Sequence, residues 1–260
     1  MGFLSATGCR SAPACPVQAR TDPAETLAAL TTSRQGWSSL KAEARVTQWA
    51  DRGRIRGNVL MFFERPGRVR FDVMTQFGPA AVLTSDGQSF QLSDLRENTF
   101  VQGPTCPENI ARLLGVAIEG ENVVRLLTGD TPRITAVEQS MECRRGTYAL
   151  LLKAEDGTSQ EIELSVEDAD RDKPPTGQRL LLRSSSLFGT DGTLLWRATY
   201  GDYAMIDGHW FPTEVRLTDY ANGADTEVRV KSLTVNPAVP ANAFTQVPRP
   251  GAAVEIATCP

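Results

Sequence analysis

A single histidine, His209, serves a chain of 260 residues. That scarcity limits the chemistry available. A Ser-His-Asp triad would have to use His209 as its base, and no Gly-x-Ser-x-Gly elbow accompanies it. The residue stands in "DGHWFP", beside a turn, where an imidazole is usually solvated. No run of about 18 apolar residues occurs, so no helix of spanning length is expected. Positive charge is not in excess, since 27 basic residues face 31 acidic ones and leave a net charge of −4. A nucleic-acid binder normally shows a basic patch, and that partner is not expected here. "GTDGT" lacks the phosphate-loop lysine and reads as a hairpin turn. The acidic run "VEDADRD" at 166–172 lacks the EF-hand pattern and reads as a solvated loop. The expectation is a protein that is not an enzyme, with no cofactor and no metal.

Cysteine is present but oddly counted. The five are Cys9, Cys15, Cys106, Cys143 and Cys259, and their spacing matches no zinc pattern. One is left over from any set of pairs. The chain opens with "LSATGC", and Ala6-Thr7-Gly8-Cys9 resembles the lipobox of bacterial lipoproteins. "MGFLSATG" lacks the basic and apolar regions of a complete secretory signal, so residues 1–8 read as the remnant of one. With Cys9 acylated, four cysteines remain and can pair in three ways. Pairing implies an oxidising compartment.

Residues 10–21 are rich in Pro, Ala and polar groups and read as a tether. A helix is expected from "DPAETLAALTTSRQG", with Asp22 capping, Pro23 in first position and Gly36 ending it. Strands follow. Leu40, Ala42, Ala44 and Val46 alternate with charged residues, as do Val69, Phe71 and Val73, and again Ile162, Leu164 and Val166. Such strands bury one face and wet the other, which marks antiparallel sheet. Asp86-Gly87, Asp156-Gly157, Asp191-Gly192, Asp207-Gly208 and Asn222-Gly223 punctuate the strands as hairpin turns. Two short helices interrupt the meander. "TCPENIARLLG" opens with Thr105 and Glu108 in capping-box spacing, and "GENVVRLLTG" ends at Gly129. A curved sheet under a helical cover holds either a packed core or an apolar pocket, and Ala42 and Ala44 are small where a filled core favours bulk.

Three stretches carry a resemblance. "FFERPGRVRFDVMTQFGPAAVLTSDGQSFQLSD", then "NIARLLGV" and "VVRLLTG", resemble the LolB-like branch of the LolA/LolB lipoprotein-carrier superfamily. "YGDYAMIDGHWFPTEVRLTD" and "NPAVPANAFTQ" look like its closing hairpins, so the likeness covers roughly residues 23–247. It implies a mainly β fold with a few helices, an unclosed antiparallel β-barrel whose hollow holds acyl chains. It implies an outer-membrane lipoprotein anchored through Cys9 and facing the periplasm of a Gram-negative bacterium. Arg10, rather than Asp, after the acylated Cys is compatible with that sorting. The apolar loop that such proteins present to the membrane falls at "TQFGPAAV", with Phe77 and Pro79.

The division expected is a signal remnant at 1–8, a lipidated N-terminus and tether at 9–21, the half-barrel at 22–247 and a tail at 248–260. The cavity is expected between sheet residues Phe63, Phe71, Val73, Leu92 and Trp196 and helix residues Ile110, Leu113, Leu114, Val124 and Leu127. The disulfides expected are Cys106 with Cys143 and Cys15 with Cys259. The partners expected are lipid or lipoprotein acyl chains, the outer membrane through the anchor, and a periplasmic carrier protein. The leading function is lipid or lipoprotein delivery at the outer membrane. The alternative is a non-transporting envelope scaffold or stress sensor on the same fold.

Overall fold

The computed structural model describes residues 14–50, 53–114, 118–220 and 222–259, without the side chains of 50, 113 and 114. Helix α1 (Pro23–Ser33) begins as expected, with the Asp22 carboxylate accepting the Glu25 N–H at 2.9 Å. Six strands then form a meander: β1 (Ser39–Ala50), β2 (Gly53–Glu64), β3 (Arg68–Thr75), β4 (Gly78–Ser85), β5 (Ser89–Asp94) and β6 (Thr99–Pro104). Two helices follow, α2 (Pro107–Leu114) and α3 (Gly120–Leu127). A second meander contains β7 (Glu138–Arg144), β8 (Thr147–Lys153), β9 (Ser159–Val166), β10 (Leu180–Phe188), β11 (Leu194–Ile206), β12 (His209–Asp219) and β13 (Ala224–Val235). Strand β14 (Ala253–Ile256) closes the chain.

All strands share one sheet in the order β14-β6-β5-β4-β3-β2-β1-β13-β12-β11-β10-β9-β8-β7. The two meanders join where β1 pairs with β13, with Val46 opposite Val228. β7 and β14 lie at the two ends of the order and do not pair, so this is an open half-barrel. Every pairing is antiparallel except β14 with β6. The five expected turns all lie at hairpins, and their glycines have positive φ, from 66° at Gly223 to 97° at Gly87.

All three helices are on one side of the sheet, over two cores. The first contains Leu40, Phe63, Phe71, Leu83, Phe90, Ile110, Val123 and Val124. The second contains Leu27 and Leu30 of α1 with Tyr148, Leu150, Ile162 and Leu182. α3 bridges them, because Val123 and Val124 enter the first and Leu126 the second. Its position depends on contact between two glycines. A Cβ on Gly120 would come within 2.7 Å of the Gly67 carbonyl oxygen, and one on Gly67 within 2.9 Å of the Glu121 nitrogen. The helix start therefore rests directly on the β2–β3 turn.

Four expectations are corrected. The Thr105 hydroxyl is bonded to Ser85 at 2.8 Å, and the helical bonding of α2 starts from the Cys106 carbonyl. The disulfides join Cys15 to Cys143 and Cys106 to Cys259. The expected Cys106–Cys143 bond would have to cross the whole sheet, because β6 and β7 lie near its opposite edges. The described part of the expected tether is docked rather than loose. Gln178 donates to the Gln18 carbonyl at 2.7 Å, and the Arg20 N–H donates to the Tyr148 hydroxyl at 2.9 Å. The expected tail contains an edge strand, and Ala257 is buried against Gly103, where a Cβ would collide with the Ala257 carbonyl oxygen.

Candidate functional site

The inward face of β2 explains where the sheet is full and where it is hollow. Reading from the closed end, it presents Phe63, Met61, Val59, Gly57 and Ile55. Phe63 packs edge-on against Phe71 with ring centres 5.7 Å apart and fills the core. Two steps beyond Val59 the side chain shrinks to nothing at Gly57. Further along the same inner face, Val228 on β13 and Ala198 on β11 also offer little bulk. A chamber of about 430 Å³ opens there, along the seam between the two cores and beneath α3. Its lining includes Met61 and Val123 from the first core, Leu126 and Val215 from the second, and Ile118 ahead of α3. The polar groups on it, Gln48, Asp94, Arg96 and Thr226 among them, come from strand ends and a turn. A second chamber of about 310 Å³ shares Ile118, Leu126 and Leu217 with the first and is lined by more polar residues, including Asn122, Arg133, Gln160 and Asp219.

The expected cavity residues divide. Phe71, Val73 and Leu127 line the larger chamber, and Trp196 lines the smaller one. Phe63, Ile110 and Val124 are instead spent in the packed first core, and Leu92 packs against it. Leu113 and Leu114 have side chains outside the described residues, and Cys9 lies outside them too. Phe77 is 91% exposed at the β3–β4 tip, not tucked beneath the helices, with Pro79 exposed beside it. Its turn is held by the Thr75 hydroxyl, which donates to the Gly78 carbonyl at 2.7 Å and accepts the Phe77 N–H at 3.2 Å.

The far end of α3 is bolted to the sheet by a buried arginine. Arg34, 4% exposed, donates to three carbonyls: Gly129 at 3.2 Å, Trp210 at 2.6 Å and Leu180 at 3.0 Å. Burial pushes its pKa down, and the neighbouring Tyr203 and Asp130 oppose that shift. Asp130, just past α3, pairs with Arg133 at 2.9 Å and Arg125 at 3.8 Å. Losing Arg34 would leave three carbonyls short of a buried partner. Arg34→Ala is therefore expected to cost about 3–5 kcal/mol, read as a lowered denaturant midpoint at unchanged slope.

Two motifs set aside on sequence have structural roles. His209 lies against Gly36, where a Cβ would meet its ring at 2.9 Å, with Phe211 at 6.3 Å between ring centres. Asp170 in the acidic run is not solvated, as expected, but buried, and it accepts from Lys173 at 2.5 Å with Arg179 at 3.4 Å. No helix among the described residues is long and apolar enough to cross a membrane.

A protein-family model described only as an uncharacterized protein matches residues 176–247. No curated protein matches the chain. Solved structures do. A DUF1329 family protein from Desulfovibrio piger is 11% identical, with 86% of this chain and 98% of that one covered at a TM-score of 0.58. A LolA superfamily protein from Nitrosomonas europaea is also 11% identical, covering 86% of this chain and 97% of that one at a TM-score of 0.55. At such identity the likeness is one of fold alone.

Proposed function

We propose that this protein is a non-catalytic carrier that holds one acyl chain at a time in the chamber beneath α3. The observation that carries the reading is the hollow itself, apolar inside and polar at its strand-end lip. At ~30 Å³ per water-sized group, 430 Å³ has room for on the order of fourteen methylenes. Ten buried methylenes contribute about 8 kcal/mol before ordering costs. The likeness of fold to a LolA superfamily protein supports lipid or lipoprotein cargo. In this reading Cys9 is acylated and anchors the protein in the outer membrane, the half-barrel faces the periplasm, and a periplasmic carrier protein supplies the cargo. Paired cysteines at both sheet edges suit an oxidising compartment. A scaffold or sensor has no need of an unfilled chamber, so the hollow favours the carrier.

Native mass spectrometry of the gently purified protein tests this directly. The expected spectrum shows a bound lipid at one copy per chain. A protein that is empty, and that takes up no fluorescent fatty acid at micromolar concentration, sinks the carrier reading and leaves the scaffold.

A further inference from the structure

We infer that the β1–β2 hairpin is an electrostatic docking element for an anionic phospholipid surface, set beside the chamber mouth. The inference rests on the carrier reading, because it concerns where the chain is delivered. Three hairpin tips project at the mouth end of the sheet. The β1–β2 tip carries Ile55, 68% exposed, the β3–β4 tip carries Phe77, and the β12–β13 turn carries Tyr220, 53% exposed. Their common level follows from register: Asn58 pairs with Met74, so Ile55 and Phe77 each lie three residues further toward the tips, and Trp49 pairs with Asp225 at the start of β13. Exposed apolar groups gathered at one end of a molecule mark an interaction surface.

Charge decides which surface. Between 45 and 56 the sequence carries four arginines and one aspartate, in a chain whose net charge is −4. Arg54 and Arg56 are exposed and form no ion pair among the described residues, and Glu227, within electrostatic reach of Arg56, is already bonded to Arg229 at 2.8 Å. Most other cations on this outer face are engaged, Arg216 with Asp225 and Lys231 with Glu43. Trp49 stands behind them, its ring under the Arg216 guanidinium at 5.0 Å. Apolar tips backed by Trp and unpaired Arg match the layering of a bilayer interface, with acyl region, headgroup boundary and anionic surface in turn. An acidic protein surface would satisfy the arginines but not three separated apolar tips.

The chain between anchor and barrel permits this pose. Cys15 is fixed to Cys143, which lies five residues, about 17 Å, from the mouth end of β7. Residues 9 to 15 span at most about 20 Å when extended. An acyl group on Cys9 can therefore reach the membrane that the mouth faces.

The test uses the full chain with Cys9→Ser, so that no anchor contributes, and sedimentation with vesicles of phosphatidylcholine alone or mixed with phosphatidylglycerol. Binding should favour the anionic vesicles and weaken with salt. Removing one arginine should weaken it about fivefold and removing both about 30-fold. Phe77→Glu should lower binding to both vesicle types, whereas Arg145→Glu, in the turn at the opposite end, should change nothing. Uptake of a fluorescent fatty acid should be unaltered in Arg54→Glu, because Arg54 lies outside the chamber lining. Equal binding to both vesicle types, or unchanged vesicle binding in the double variant, overturns the docking element. Anionic-vesicle binding without fatty-acid uptake would instead retain the docking element and overturn the carrier.

Discussion

Gly57→Leu is expected to narrow the chamber without harming the fold. Gly57 lies in mid-strand, and a Cβ built on it meets only Val73 Cγ1, at an ordinary 3.9 Å. Its backbone does not require glycine, and glycine weakens a strand interior, so a side chain here costs little. Four added carbons would occupy about 120 Å³ at ~30 Å³ each, against a chamber of about 430 Å³. The space lost corresponds to about four methylenes of ligand, or about 3 kcal/mol. Binding of a fluorescent fatty acid should therefore fall about 150-fold. Leu127→Glu attacks the same site from the cover, because Leu127 on α3 lines the chamber. An unpaired carboxylate against the tail should cost about 2–3 kcal/mol of affinity. Lys153→Glu, on the exposed β8 end, serves as the control. Unchanged binding in Gly57→Leu, with the melting temperature preserved, would remove the chamber from the mechanism.

Loss of both disulfides is expected to be the largest single blow to stability. Cys15–Cys143 and Cys106–Cys259 close separations of 128 and 153 residues, and each bond fastens a terminal segment to one edge of the open sheet. At about 2–4 kcal/mol each, the pair contributes about 4–8 kcal/mol, against a usual total of about 5–15 kcal/mol. The two bonds should differ in function. Cys106 immediately precedes α2, and Arg112 of that helix also pairs with Glu255 of β14 at 2.9 Å. Cys259→Ser should therefore loosen the cover and alter fatty-acid uptake. Cys143→Ser should lower stability and leave uptake intact. Peptide mapping without reduction checks the pairing first, and recovery of a Cys106–Cys143 peptide would refute the topology described above.

Much of the fold could be read from the chain because its signals are local. The alternation of Leu40, Ala42 and Ala44, the five Asp-Gly or Asn-Gly turns, and the Asp22 cap all act over a few residues, and all are found in place. The taper of β2 from Phe63 to Gly57 was equally present in the sequence and is the signal that could have located the chamber. Without the register it could not be interpreted, since a glycine opens a hollow only if other strands sharing its inner face, here those of Ala198 and Val228, also offer little bulk. Register also explains why Phe63, Ile110 and Val124 pack as core while Val215, Ala198 and Val228, from strands more than a hundred residues away, line the cavity.

What the sequence by itself determined is thus the antiparallel meander, its turns, the helical cover and the one-sided burial. The tertiary structure alone decided which strands form the edges, and with them the disulfide pairing, the docking of both terminal segments and the position of the hollow. The reason is that hydrophobic alternation specifies which face of a strand is buried but not which strand lies beside it. Where two meanders meet, at β1 and β13, that choice is made by packing across almost the whole length of the chain.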